Sequence, residues 1–290
     1  MNDGEAGPLV SAGWLAAHLH DPDLRIVHVS ADRRIYDRVH LPGAIFVDLH
    51  VDLAKGGARA ETGTATRQYL VPTREEVADS LAMWGIAPGT RIVFYDDENN
   101  RQAIRGYWLM RLYGYPRERI HLLDGGLQVW QAEGRPTTAE AATATRVEAT
   151  ERLHERDDSL IATADQVLAW SKQASAPGGP TSILDVRTVD EFLGTDVRAA
   201  RGGRIPGAKH RLFLDFVAPD GRLRSGAEAL AILRGTGVNP GEVRATYCQG
   251  GVRAALGWFV LHELAGLDEV RNYAESWEEW GNRPDLPVER

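Results

Sequence analysis

Along the chain, short apolar runs take turns with stretches in which apolar residues return every three or four positions. Four runs read as strands: Arg25 to Val29, Arg91 to Tyr95, Ser182 to Val186 and Val243 to Tyr247. The helical stretches open on polar residues suited to capping. Ser11 precedes Trp14-Leu15-Ala16-Ala17-His18-Leu19, Thr73 precedes Val77 to Trp84, and Thr163 precedes Val167-Leu168-Ala169-Trp170. Thr73 with Glu76, and Thr163 with Gln166, have the spacing of a capping box, in which the cap hydroxyl and the side chain three residues on each bond the other's backbone N–H. Strands alternating with helices predict an α/β fold whose mainly parallel sheet is covered by helices on both faces. Ligands of such sheets bind beyond the carboxyl ends of the strands.

The pattern occurs twice. His40-Leu41-Pro42-Gly43-Ala44 returns as Arg204-Ile205-Pro206-Gly207-Ala208, Val93-Phe94-Tyr95-Asp96 as Ala245-Thr246-Tyr247-Cys248, and Leu127-Gln128-Val129-Trp130 as Trp277-Glu278-Glu279-Trp280. The matches keep their order, and their spacing is far too long for a solenoid. Two copies of one domain are predicted, 1–145 and 146–290. Pro136 to Thr150, rich in Ala, Thr and Glu with Val147 as its one large apolar residue, reads as the linker. Ala174 to Thr181, with Pro177-Gly178-Gly179-Pro180, reads as a loop inside the second copy.

Composition narrows the function. The 290 residues carry a net charge of −8 and one cysteine. The acidic balance argues against nucleic-acid partners. One cysteine excludes an intramolecular disulfide and a cysteine-cluster metal site. The leading residues Met1 to Pro8 lack a basic segment followed by an apolar one, and no apolar run approaches a membrane span, so the expected location is cytoplasmic, with no membrane partner.

Cys248 follows the last predicted strand and precedes Gln249-Gly250-Gly251-Val252-Arg253-Ala254, which opens a helical stretch over Ala255 to Leu261. A lone cysteine is commonly a small buried hydrophobe. Two glycines and an arginine so close to the sulfur suit instead a loop that approaches a charged ligand. The turn's N–H groups and the positive end of the helix would favour the thiolate, and Arg253 would add to this.

These residues carry a resemblance. The paired Pro-Gly-Ala segments, Leu184-Asp185-Val186-Arg187, Cys248-Gln249-Gly250-Gly251-Val252-Arg253-Ala254, the closing Ser276-Trp277-Glu278-Glu279-Trp280 and the tail Pro284-Asp285-Leu286-Pro287-Val288-Glu289 resemble the tandem-domain rhodanese sulfurtransferases over nearly the whole chain. The resemblance implies two rhodanese-like domains, of which the second is catalytic. It implies that Cys248 takes the sulfane sulfur of a small anionic donor, thiosulfate or 3-mercaptopyruvate, as a persulfide. A thiophilic acceptor such as cyanide, a thiol or a protein cysteine would then remove it, with neither metal nor cofactor. The backbone from Gln249 through Gly250, Gly251 and Val252 to Arg253 would hold the persulfide, Arg187 would hold the donor, and Asp185 would support a neighbouring loop. Arg198, Arg201 and Arg204 lie near the expected mouth, the first two as solvated loop residues; Trp277 and Trp280 are expected in the core.

The first copy departs from this pattern. Asp96 stands in place of Cys248, in the acidic loop Asp96-Asp97-Glu98-Asn99-Asn100-Arg101, and Ser30 stands in place of Arg187. That copy is expected to be non-catalytic. Thiosulfate-type members carry a basic residue where this chain has Gly250. Mercaptopyruvate-type members carry Gly-Ser-Gly after the cysteine and an arginine where Leu193 precedes Gly194. Leu193 favours thiosulfate and Gly250 does not, with Arg253 as the residue that would supply the missing charge; thiosulfate is the expected donor and 3-mercaptopyruvate the alternative. Two further readings stand beside these. One is a persulfide carrier serving a protein partner. The other is a phosphatase of the Cdc25 kind, which needs five residues between cysteine and arginine where this chain has four and places Ala254 in the arginine's position.

Overall fold

The structure is a computed structural model and describes residues 6–54, 70–148 and 150–290. The first five residues of the leading segment and Ala149 of the expected linker lie outside the described residues. The chain forms two compact units. One holds the described residues up to 54, Val71–Asp157 and Pro219–Leu223; the other holds Asp158–Ala218 and Arg224–Arg290.

In the first unit the order is β1 (Leu9–Val10), α1 (Ala12–His18), β2 (Leu24–Ser30), α2 (Arg33–Arg38), β3 (Ile45–Asp48), α3 (Arg74–Met83), β4 (Arg91–Tyr95), α4 (Ala103–Leu112), β5 (Ile120–Leu123) and α5 (Gly126–Ala132). The strands form one parallel sheet in the order β1-β5-β4-β2-β3. Alternate residues of β4 face opposite ways, as the two-residue period of a strand requires. Val93 and Tyr95 join a buried cluster with Leu15 of α1 and Leu127 and Trp130 of α5. The Phe94 ring meets α4 at Gly106. The sheet is thus buried on both faces, which is why its strands read as near-continuous apolar runs.

The second unit follows with α6 (Ala164–Ala174), β6 (Ile183–Asp185), α7 (Val189–Leu193), β7 (Lys209–His210), α8 (Gly226–Gly235), β8 (Ala245–Tyr247), α9 (Val252–Trp258), β9 (Arg271–Asn272) and α10 (Ser276–Trp280). Its strands are again parallel, in the order β7-β6-β8-β9. An isolated parallel bridge from Ile161 to Asn272 of β9 stands where β1 pairs with β5 in the first sheet. With that bridge included, the two sheets share one strand order, so the sequence repeat is a structural repeat. Ala245 and Tyr247 pack into a cluster with Val167 of α6 and Trp277 and Trp280 of α10. Thr246 faces the other way, its hydroxyl donating to the Ala254 carbonyl of α9 at 2.9 Å.

The expected caps form. Ser11 Oγ accepts from Trp14 N–H at 3.0 Å, and Thr73–Glu76 and Thr163–Gln166 close full capping boxes. The stretch from Ala255 to Leu261 is helical but changes pitch: α9 passes into a π-turn over Phe259–Leu264. Residues around Pro136 to Val147 hydrogen-bond back to the first unit. Thr138 forms an antiparallel bridge with His40, and Val147 N–H donates to the Ala82 carbonyl at 3.1 Å. Pro219–Leu223, late in the sequence, is anchored in the first unit through Leu223 N–H, which donates to Asp124 at 2.9 Å.

Candidate active site

β8 ends at Tyr247, so Cys248 stands at the carboxyl end of a central strand of its sheet. Three residues later the chain must reverse into α9. Gly251 makes that turn with φ 78°, and a Cβ there would lie 2.3 Å from the Ala274 carbonyl oxygen. Only glycine combines that left-handed backbone with so close an approach. Its N–H donates to Cys248 Sγ at 3.2 Å. The N–H groups of Gln249, Gly250, Val252 and Arg253 have no protein acceptor among the described residues. Val252 and Arg253 are among the first donors of α9, which the helix itself leaves unbonded; Gln249 and Gly250 lie in the turn ahead of it. Cys248 is 1% exposed.

The peptide of Cys248 is clamped on both sides. Its N–H donates to Ser276 Oγ at 3.0 Å, and its carbonyl accepts from Trp277 N–H at 3.0 Å. The Gln249 carbonyl accepts from Glu278 N–H at 2.9 Å, and the Gln249 side chain donates to the Arg198 carbonyl at 3.1 Å. Asn272 Nδ2 donates to the Gly251 carbonyl at 3.3 Å. The loop from Cys248 to Arg253 is therefore tied to the closing motif of the sequence, which the chain brings alongside it as β9 and α10.

The two arginines are both paired. Arg253 meets Glu191 of α7 in a two-pronged bond, 2.6 and 2.8 Å. Burial raises the pKa of the Glu191 carboxyl, but the hydrogen bonds and charge of Arg253 outweigh it and hold it at about 2. Glu191 also closes a capping box with Thr188, which fixes it at the start of α7. The charge of Arg253 is near enough to interact with Cys248. Arg187 is 1% exposed and lies against Asp185, with Nε 3.0 Å from one carboxylate oxygen and Nη2 2.6 Å from the other. It also donates to the Gly203 carbonyl at 2.8 Å and lies 4.6 Å from the centre of the Trp277 ring. The structure pairs Arg187 with Asp185 and gives Glu191 to Arg253.

Asp185 accepts from the Tyr247 hydroxyl, and Tyr247 Oη in turn accepts from Ile205 N–H at 3.2 Å. That chain of bonds holds the Ile205-Pro206-Gly207 loop against the sheet. Tyr95 does the same for Leu41 N–H in the first unit, at 3.0 Å. Trp277 and Trp280 are buried in the core, as expected. Arg201 is a correction: it does not extend into solvent. It donates to the carbonyls of Trp280 and Leu286, each at 2.8 Å, and also to those of Gly281 and Arg283, so it collects the chain end. Arg198 is half-exposed and pairs with Asp196, and Arg204 pairs with Glu289.

Two contributors escaped the sequence reading. Ser276 stands in the sequence only as the first residue of the closing motif, and nothing in the cysteine motif points to Glu191. The capping-box spacing Thr188-x-x-Glu191 was the one local signal for Glu191.

In the first unit the equivalent loop is filled from within. Asp96 follows β4 as Cys248 follows β8, and it is fully buried. Its carboxylate accepts from the N–H groups of Glu98 at 2.8 Å, Asn100 at 2.9 Å, Gln102 at 2.6 Å and Ala103 at 2.8 Å. Its carbonyl accepts from Leu127 N–H at 2.9 Å, as that of Cys248 does from Trp277. A side-chain anion thus takes up the loop's own donors. Among the described residues no group of three or more metal-ligating side chains is gathered, and no helix is long and apolar enough to cross a membrane.

Comparison with known proteins gives a consistent picture. The rhodanese-like domain model matches residues 11–133 and 163–283. A thiosulfate sulfurtransferase of Corynebacterium glutamicum is 36% identical over 97% of this chain and 90% of its own length. The sulfur carrier protein TtuD of Thermus thermophilus is 33% identical over 97% of this chain and 95% of its own. Among solved structures, the anaerobic ergothioneine biosynthesis enzyme of Chlorobium limicola superposes with a TM-score of 0.78 at 24% identity, covering 97% of this chain and 70% of that one, which supports the fold. With matching models over both halves, one strand order in both sheets and the cysteine loop in the second, the chain belongs to the rhodanese family as a tandem pair of rhodanese-like domains.

Proposed function

We propose that this sulfurtransferase moves a sulfane sulfur from thiosulfate to a thiophilic acceptor through a persulfide on Cys248, within a catalytic domain spanning 146–290. The observation that carries the reading is the Gly251 N–H aimed at Cys248 Sγ at 3.2 Å, beside the N–H groups of Gln249, Gly250, Val252 and Arg253, which lack protein acceptors among the described residues. The Cys248 thiolate attacks the outer sulfur of thiosulfate. The sulfur–sulfur bond of the donor breaks, sulfite leaves with the electron pair, and the anionic charge moves to the terminal persulfide sulfur. Backbone N–H groups fixed around that point stabilise it without reorganising, as in an oxyanion hole. Attack by cyanide or a thiol on the outer sulfur then regenerates the thiolate, a double displacement through a covalent intermediate.

The paired arginines alter the expected division of labour. With Arg187 held by Asp185 and Arg253 by Glu191, the main chain, not a free guanidinium, meets the donor's charge. Donor choice is tested by intact mass spectrometry after separate exposure to thiosulfate and 3-mercaptopyruvate. We expect thiosulfate to add one sulfur atom, and Cys248→Ser to add none. Gain of sulfur by Cys248→Ser, or by neither donor on the native chain, would refute the reading.

A second reading, a carrier that receives sulfur for a protein partner, is favoured by the likeness to the Thermus carrier over nearly the full length. Persulfide formation much faster from a cysteine desulfurase than from thiosulfate would establish it.

A further inference from the structure

A left-handed backbone is rare for residues with a side chain, and such strain collects where function requires it. Among the described residues only three that are not glycine have positive φ. Two are asparagines, which tolerate it; the third is Ser276, with φ 52°. Ser276 is fully buried. The first unit places Gly126 at the equivalent position with φ 54°. The fold therefore needs a left-handed residue here and uses glycine where no nucleophile follows the strand.

The hydroxyl accounts for the exception. β8 and β9 run parallel with Thr246 opposite Asn272, and Tyr273 N–H continues the ladder to the Thr246 carbonyl at 3.0 Å. The next rung of a parallel ladder would run from Cys248 N–H to the Tyr273 carbonyl. Ser276 Oγ stands in that rung instead: it accepts from Cys248 N–H at 3.0 Å and donates to the Tyr273 carbonyl at 2.7 Å. Both of its hydrogen-bonding directions are thus fixed. Trp277 N–H holds the other side of the same residue through the Cys248 carbonyl.

We infer that Ser276 is a positioning residue for the reaction, its hydroxyl inserted into the β8–β9 ladder to set the backbone of Cys248 so that Sγ faces the Gly251 N–H. The inference rests on the sulfur-transfer reading above. Ser276 does not touch the reacting sulfur; it acts through the peptide of the residue that does.

Two variants separate position from fold. Ser276→Gly removes the hydroxyl and relieves the backbone, as Gly126 does; Ser276→Ala removes the hydroxyl and keeps the strain. Each is assayed for alkylation of Cys248 by iodoacetamide at fixed pH, for kcat and KM with thiosulfate and cyanide, and for Tm. We expect both to slow alkylation and kcat to a similar extent, by about ten- to a hundredfold as for a misplaced nucleophile, with KM little changed and the alanine variant melting lower. Native rates in Ser276→Gly, or rates that follow Tm across the pair, would overturn the inference and leave Ser276 a structural residue. A raised KM with unchanged kcat would overturn it as well. Native protein that is alkylated at Cys248 yet takes sulfur from no donor would sink the proposed function, and the alkylation comparison would still be readable.

Discussion

Arg253, five residues after the nucleophile, is held by Glu191 from the start of α7, at 2.6 and 2.8 Å. The pair brings a positive charge beside the cysteine loop without leaving that charge free to travel with a ligand. Breaking such a pair from one side strands a buried charge, which costs far more than an exposed ion pair contributes.

The pair sets a pH dependence. The Glu191 carboxyl is held at about 2 against a usual 4.5, so the folded chain binds its proton less readily than the unfolded chain. The stabilisation is complete above the unfolded value and is lost as pH falls through the folded one. For a shift of that size it is about 3 kcal/mol. Urea unfolding of native protein and Glu191→Gln is expected to show the variant less stable at pH 7, with the gap closing as pH drops below 4.5 toward 2. A gap that stays constant over that range would remove Glu191 from the account.

Arg187→Ala should act on stability first. The change leaves the Asp185 carboxylate buried with its guanidinium gone, which costs about 3–5 kcal/mol. Denaturant titration reads this directly. A loss under about 1 kcal/mol, as for an exposed pair, accompanied by a raised KM for thiosulfate, would return Arg187 to the donor.

Gly251→Ala places a Cβ 2.3 Å from a backbone oxygen at φ 78°. Backbone strain of that kind costs about 1–3 kcal/mol, and relief by shifting the loop would carry the N–H away from Sγ. The expected outcome is a folded, less stable protein that no longer gains sulfur from thiosulfate. Full sulfur loading in this variant would show that the Gly251 N–H is dispensable.

Much of the fold could be read from short stretches of the chain. Thr73–Glu76 and Thr163–Gln166 announced helix starts because a capping box is contained within four residues. Arg91 to Tyr95 announced a strand because a sheet covered on both faces needs an unbroken apolar run. The cysteine loop was legible for the same reason, since its glycines, thiol and helix start are neighbours in sequence. The role of Arg201 is not legible in this way, because its four carbonyl acceptors lie in the distant stretch from Trp280 to Leu286, where nothing in the sequence marks them.

The sequence by itself determined the repeat, the strand-to-helix turn at Cys248 and the loss of the nucleophile in the first copy, because each is written in residue types at short range. Only the tertiary structure decided which acid each arginine meets, how Asp96 takes up its own loop's donors and where the Ser276 hydroxyl goes. Glu191 and Arg253 are 62 residues apart. A buried charge takes the partner that packing brings within reach, and packing is a property of the assembled sheet and its helices.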